Sequence, residues 1–151
     1  MSGLPLGYWS ASWEWGVPMI LLTVVAHVLG LGAIRLGVSS VLRHPRPSRR
    51  RRLAQFAVGP AIAVVLVTGL HALEAGIWAW VYVLTRALPD YRWAMLYSMN
   101  SMTTFGHAAI YLAPRWQMLG AIESLNGLIL FGLTTAVLFG VIERAWPFTD
   151  R

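Results

Sequence analysis

No cysteine occurs in the 151 residues, which excludes disulfide bonds, thiolate catalysis and cysteine-based metal centres. Lysine is missing too, so the 12 basic residues are all arginine. Charge of either sign is scarce: 12% of the chain is charged against 57% hydrophobic, and the mean hydropathy is +0.59. That balance excludes the surface of an ordinary water-soluble domain and points to a bilayer. The net charge of +6 is concentrated, with half of the arginines between Arg43 and Arg52. It therefore speaks of membrane topology and not of nucleic-acid binding. Residues 1–16 carry no basic start, as a cleaved signal peptide would, and instead hold Trp9, Trp13 and Trp15. They are expected to form an extracytoplasmic aromatic segment anchored at the interface.

What is present is apolar length. Residues 17–42 are nearly all apolar and, at about 1.5 Å per residue, exceed the roughly 30 Å hydrocarbon core, which predicts a first transmembrane helix. It contains His27 near its middle, read as a buried hydrogen-bonded imidazole, and Arg35, whose stem can snorkel toward the loop that follows. Gly30, Gly32 and Gly37 are expected to permit close helix packing. Residues 43–52 hold six arginines and two prolines. The prolines break the helix, and the arginines fix the loop to the cytoplasmic side, where it can meet anionic lipid. The N-terminus is then outside and the C-terminus, with a tail at 147–151, cytoplasmic, in a plasma (inner) membrane.

A second helix is expected from about Leu53 to Leu84, kinked or started at Pro60. Trp78, Trp80 and Tyr82 near its end fit an outer aromatic belt. His71 and Glu74 share a face three residues apart, and a carboxylate at such depth needs a partner. A short helix from Tyr91 to Thr103 follows, capped by Asp90 and too short to span. The third long helix runs from Gln117 to about Ala145. Glu123 and Asn126 lie in its upper part, and together with His71, Glu74 and Asn100 they are expected to form an intramembrane polar network supporting the preceding loop.

Between the second and third spans lies Ser98 to Ala109, semi-polar and too short to cross. Non-helical backbone at membrane depth is tolerated only where protein buries it or where it lines a water-filled cavity. The order apolar helix, short helix, Thr-Thr-x-Gly turn, apolar helix therefore predicts an all-α membrane protein: three transmembrane helices with a re-entrant pore helix and filter loop between the second and third.

At Thr103-Thr104-Phe105-Gly106-His107-Ala108-Ala109 the sequence resembles the signature Thr-Thr-Val-Gly-Tyr-Gly-Asp of the tetrameric potassium channel pore-domain family. Trp116 and the run Gly127-Leu-Ile-Leu-Phe-Gly132-Leu-Thr-Thr-Ala136 resemble that family's inner helix. The resemblance covers residues 53–146 as a pore domain, with 17–42 as an extra helix. It implies a selectivity filter and ion pathway at Thr103, Thr104, Phe105, Gly106, His107 and Ala108, and gating hinges at Gly127 and Gly132. It also implies a homotetramer, no cofactor, and monovalent cations, K+ first, as permeant ions. Ala108 stands at the family's second glycine, whose left-handed backbone costs a residue with a Cβ roughly 1 kcal/mol or more. His107 replaces the signature tyrosine and Ala109 the aspartate, so the outer ion sites are expected to be lost or reshaped.

The expected function is thus a cation channel subunit with weakened or altered selectivity, and not an enzyme. A non-conducting channel-like membrane protein with a structural, sensing or partner-binding role is the alternative. A proton or metal site using His71, Glu74, Glu123 and His27 is a third reading.

Overall fold

The computed structural model describes residues 9–42, 49–106 and 109–145. Part of the N-terminal segment and of the arginine loop, His107, Ala108 and the tail at 147–151 lie outside the described residues. The described elements are α1 (Ser10–Leu42), α2 (Arg49–Leu84), α3 (Tyr91–Met102), a 3-10 turn (Pro114–Trp116) and α4 (Gln117–Ala145). Among the described residues three helices are long and apolar enough to cross a membrane, within α1, within α2, and over the 3-10 turn with α4, at mean hydropathies of 2.2, 2.0 and 2.1. The chain has the architecture of an integral membrane protein.

Two of the expected boundaries shift. The first long helix starts at Ser10 rather than at residue 17, so Trp13 and Trp15 sit within it, and Pro18 lies inside the helix. A proline removes one backbone hydrogen bond, which a long helix packed on its neighbours tolerates. The second begins at Arg49 rather than Leu53, inside the arginine run, and continues through Pro60. Its end at Leu84 and the start of α4 at Gln117 fall where the sequence places them.

Both α2 and α3 stop by the same device. Arg86 has a left-handed backbone (φ 53°), and the Ala87 and Arg86 amides donate back to the Tyr82 and Val83 carbonyls at 2.9 and 3.0 Å. After α3, Thr104 takes the same conformation (φ 56°), and the Phe105 and Thr104 amides donate to the Asn100 and Ser101 carbonyls at 3.0 and 2.9 Å. These are Schellman caps, which use up the carbonyls a helix end leaves unpaired. Glycine normally fills the left-handed position; here an arginine and a β-branched threonine occupy it.

α3 begins with Asp90, whose side chain accepts from the Arg92 amide at 2.6 Å. Twelve residues make it about 18 Å long, well short of a bilayer's roughly 30 Å core. Ala94, Tyr97, Ser98, Ser101 and Met102 form its buried side, set between α2 and α4. Ser101 Oγ donates to the Gly120 carbonyl at 2.8 Å, and at α3's far end the Met102 carbonyl lies against Gly127. Gly127 is ten residues into α4, about 15 Å along its axis. The chain then returns, and the Ala113 amide donates to the Ala87 carbonyl at 3.3 Å beside the end of α2. The two ends of the segment that carries α3, Ala87 and Ala113, thus meet beside the end of α2.

The core gathers around this segment: Trp78, Ala79, Tyr82, Ala94, Leu119 and Ile122 are among its buried members. Trp78 and Tyr82 are fully buried, so the expected aromatic belt is kept only by Trp80, 57% exposed. Residues four apart share a helix face, and the face carrying 78 and 82 is turned inward. Of the α1 glycines, Gly16 meets Ile122 and Gly30 meets Leu70, whereas Gly32 and Gly37 face open space.

Gly127 is defined by close approach, since a Cβ there would overlap the Met102 carbonyl oxygen. Gly127→Ala is expected to lower stability by about 1–3 kcal/mol, the usual cost of overpacking. Gly132, with nothing within 4 Å of a Cβ, should tolerate alanine with no loss. Thermal unfolding of both variants in detergent, followed by helical circular dichroism, checks the pair; equal loss at both positions would contradict it.

Candidate functional site

Burying an ionisable group at membrane depth is expensive unless it is hydrogen-bonded, and two carboxylates meet that condition here in different ways. Glu123, fully buried on α4, accepts from Tyr82 Oη of α2 at 2.5 Å and from Ser98 Oγ of α3. Ser98 Oγ also lies 2.8 Å from the Ala75 carbonyl. One carboxylate therefore joins three helices at the level of α3's middle. Tyr97 stacks edge-on to Tyr82, with ring centroids 5.1 Å apart, and closes the side of this cluster.

Glu74, 1% exposed on α2, is the centre of the second cluster. His27 Nδ1 of α1 lies 2.9 Å from Glu74 Oε1, and His71 Nδ1 lies 3.4 Å from Glu74 Oε2. On the far side of both rings sits a single hydroxyl, Thr134 Oγ1 of α4, 3.0 Å from His27 Nε2 and 3.1 Å from His71 Nε2. The four groups make a closed ring in the order Glu74, His27, Thr134, His71. The imidazoles are tilted at 42° with centroids 4.9 Å apart, and Phe131 stacks on His71 at 4.4 Å. His71 Nδ1 and Glu74 Oε2, facing each other across the longest side, are the two ring atoms without a hydrogen-bond partner.

Asn126 belongs to neither group. Its Nδ2 donates to Thr23 Oγ1 at 2.8 Å, and Thr23 in turn donates to the Met19 carbonyl at 2.8 Å, tying α4 to α1. Asn100 is half-buried and acts through its backbone carbonyl in the cap of α3. The single five-residue network expected from the sequence is therefore divided. His71 and Glu74 meet, Glu123 and Asn126 find separate partners, and Asn100 contributes its backbone carbonyl to the cap of α3. Sequence reasoning missed Tyr82, Ser98, Thr23 and Thr134, and set His27 beside His71 and Glu74 only in the proton- or metal-site reading. The available signal was that polar groups at the middle of apolar spans must pair across helices.

The Thr-Thr-Phe-Gly turn follows α3 and is held by the cap at its end. Thr103, Thr104 and Gly106 are exposed and Phe105 is 84% exposed. Thr103 Oγ1 donates to the Met99 carbonyl at 2.8 Å. Along the turn the sign of φ alternates: positive at Thr104 (56°), not positive at Phe105, positive at Gly106 (87°). Alternation of this kind turns successive peptide planes so that their dipoles can converge on one side.

Tyr82→Phe keeps the ring and removes one of the hydroxyls bound to Glu123. A loss of about 1–3 kcal/mol is expected from the buried acceptor left with fewer donors, read as a lower unfolding temperature in detergent. Glu123→Gln, which keeps the shape, should be milder than Glu123→Ala. Comparison with known protein families, with curated proteins and with solved structures finds no match for this chain.

Proposed function

We propose that this chain is a pore-loop subunit of a cation channel, in which 87–113 is a re-entrant loop and the turn Thr103 to Gly106 lines the ion path. The carrying observation is the course of that segment. It enters beside the end of α2, reaches the level of Gly127 about 15 Å along α4, and returns to Ala87. Fifteen ångström is about half of the hydrocarbon thickness, so the exposed turn comes near the bilayer's midplane. Irregular backbone at that depth needs water or protein around it, and a conducting path supplies water.

The turn's conformation supports the same reading. A β-branched residue in the left-handed region costs on the order of 1–2 kcal/mol and is retained where function or surrounding structure demands it. Thr104 is such a residue. The α3 helix aims its C-terminal, partially negative end at the turn, which favours cations. One chain offers one turn, so closing a ring of carbonyls requires several copies, four by the resemblance noted above. Potassium is the first permeant ion to test, with selectivity weakened because Ala109 replaces the signature aspartate. In this reading the arginine-rich loop faces the cytoplasm and anionic lipid, and the N-terminus faces outward.

Purified protein reconstituted in liposomes is expected to pass monovalent cations and to assemble as a tetramer by mass measurement in nanodiscs. Thr104→Ala and Gly106→Ala should alter the flux or its ion preference while leaving assembly intact. Absence of cation flux at every pH and voltage, or a monomer, would overturn the proposal in favour of a non-conducting membrane scaffold.

A further inference from the structure

We propose that His27, His71 and Glu74 form a binding site for a divalent transition-metal ion of the Zn2+ class, with Thr134 positioning both imidazoles. The inference is independent of the pore reading, because the cluster lies among α1, α2 and α4 and shares no residue with the turn.

The argument begins with tautomers. Thr134 Oγ1 stands at hydrogen-bonding distance from the Nε2 atoms of both histidines, 3.0 and 3.1 Å away. A hydroxyl has two acceptor lone pairs, so it can receive an N–H from each ring. In that tautomer both Nδ1 lone pairs face Glu74, and a bound metal ion satisfies all three groups at once, including His71 Nδ1 and Glu74 Oε2, which have no hydrogen-bond partner. A hydrogen bond from the outer ring nitrogen to a neighbouring oxygen is how proteins orient metal-binding histidines.

Distances agree with this. One ligand atom from each of His27, His71 and Glu74 can be chosen so that all lie within 4.8 Å of one another, and all three residues are buried. His71 Nδ1 and Glu74 Oε2 are 3.4 Å apart and neither has a hydrogen-bond partner. Two ligands at about 2.0–2.1 Å from a tetrahedral ion are separated by roughly 3.3–3.4 Å. A direct N–H···O contact would ordinarily be about 2.9–3.0 Å. Two imidazoles and a carboxylate suit zinc and its first-row neighbours, and leave a fourth position for water or another ligand. His71, at 8% relative exposure the most accessible of the three, marks the side from which an ion would enter.

Full-length protein in detergent, stripped with a chelator and dialysed against Zn2+, is expected to retain one equivalent per chain by elemental mass spectrometry. Co2+ in its place should give the visible ligand-field bands of a tetrahedral site. Glu74→Gln and His71→Gln should each reduce bound metal at least tenfold at fixed free metal. Thr134→Val, which touches no metal, should weaken affinity by about 10- to 100-fold. Glu123→Gln, His44→Ala and His107→Ala should retain it. Helical circular dichroism and a monodisperse elution verify each fold; should Glu74→Gln fail to fold, the wild-type Co2+ spectrum alone decides. Wild-type uptake no greater than that of Glu74→Gln and His71→Gln, or no tetrahedral Co2+ bands, would overturn the proposal and leave a proton-sharing ring. Loss of uptake on replacing His44 or His107 would overturn it equally.

Discussion

A carboxylate inside the bilayer must find its partners within the protein, and this constraint organises the bundle. Apolar burial does little to choose one helix arrangement over another there, since lipid tails solvate leucine as well as a neighbouring helix does. Choice of register is left to close packing and to polar contacts. Glu123 draws Tyr82 of α2 and Ser98 of α3 onto α4. Glu74 draws His27 of α1 onto α2, and both histidines reach Thr134 of α4. Two acidic side chains therefore connect all four helices, and each would be a severe liability if a single partner were removed.

The helices were legible in the sequence because their causes are local. A span reveals itself by length and hydropathy, and Asp90 announces the start of α3 by its capping chemistry. The pair His71 and Glu74 was legible for the same reason, as a three-residue spacing puts both on one face. What the sequence did not disclose is rotation. Whether Trp78 and Tyr82 look into the core or out to lipid depends on which way α2 is turned, and spacing within a helix leaves that open. The same ignorance hid Thr134 and Thr23, threonines in apolar runs whose importance comes wholly from the helix opposite. The start of α1 was misplaced because Pro18 and the tryptophans look like boundary residues, whereas the helix runs through them.

The turn after α3 owes its position to packing rather than to its own residues. α3 can approach α4 closely because Gly120 and Gly127 present no side chain to Tyr97 and to the Met102 carbonyl. Ser98 and Ser101 then fix its register against Ala75, Glu123 and Gly120. Thr104 is consequently held in a left-handed conformation at a place set by these contacts behind it, and strain of this kind persists only under such over-determination. Gly127, expected from the resemblance to be a hinge, is in this structure a point of contact with backbone. A contact glycine and a hinge glycine need not conflict, because bending α4 there would also move the end of α3.

The first helix changes most in meaning. Viewed from the sequence it is an addition to a pore domain. In the structure it is tied to α4 at two levels, by Thr23 to Asn126 and by His27 to Thr134, and to the 3-10 turn before α4 by Ser12 to the Arg115 carbonyl. It also supplies the imidazole that lies closest to Glu74. Removing α1 would leave the Glu74 carboxylate with only the long contact to His71 and would expose Asn126 to lipid. α1 therefore completes the interior of the domain, and any motion of α4 must carry α1 with it or break buried hydrogen bonds that the bilayer cannot replace.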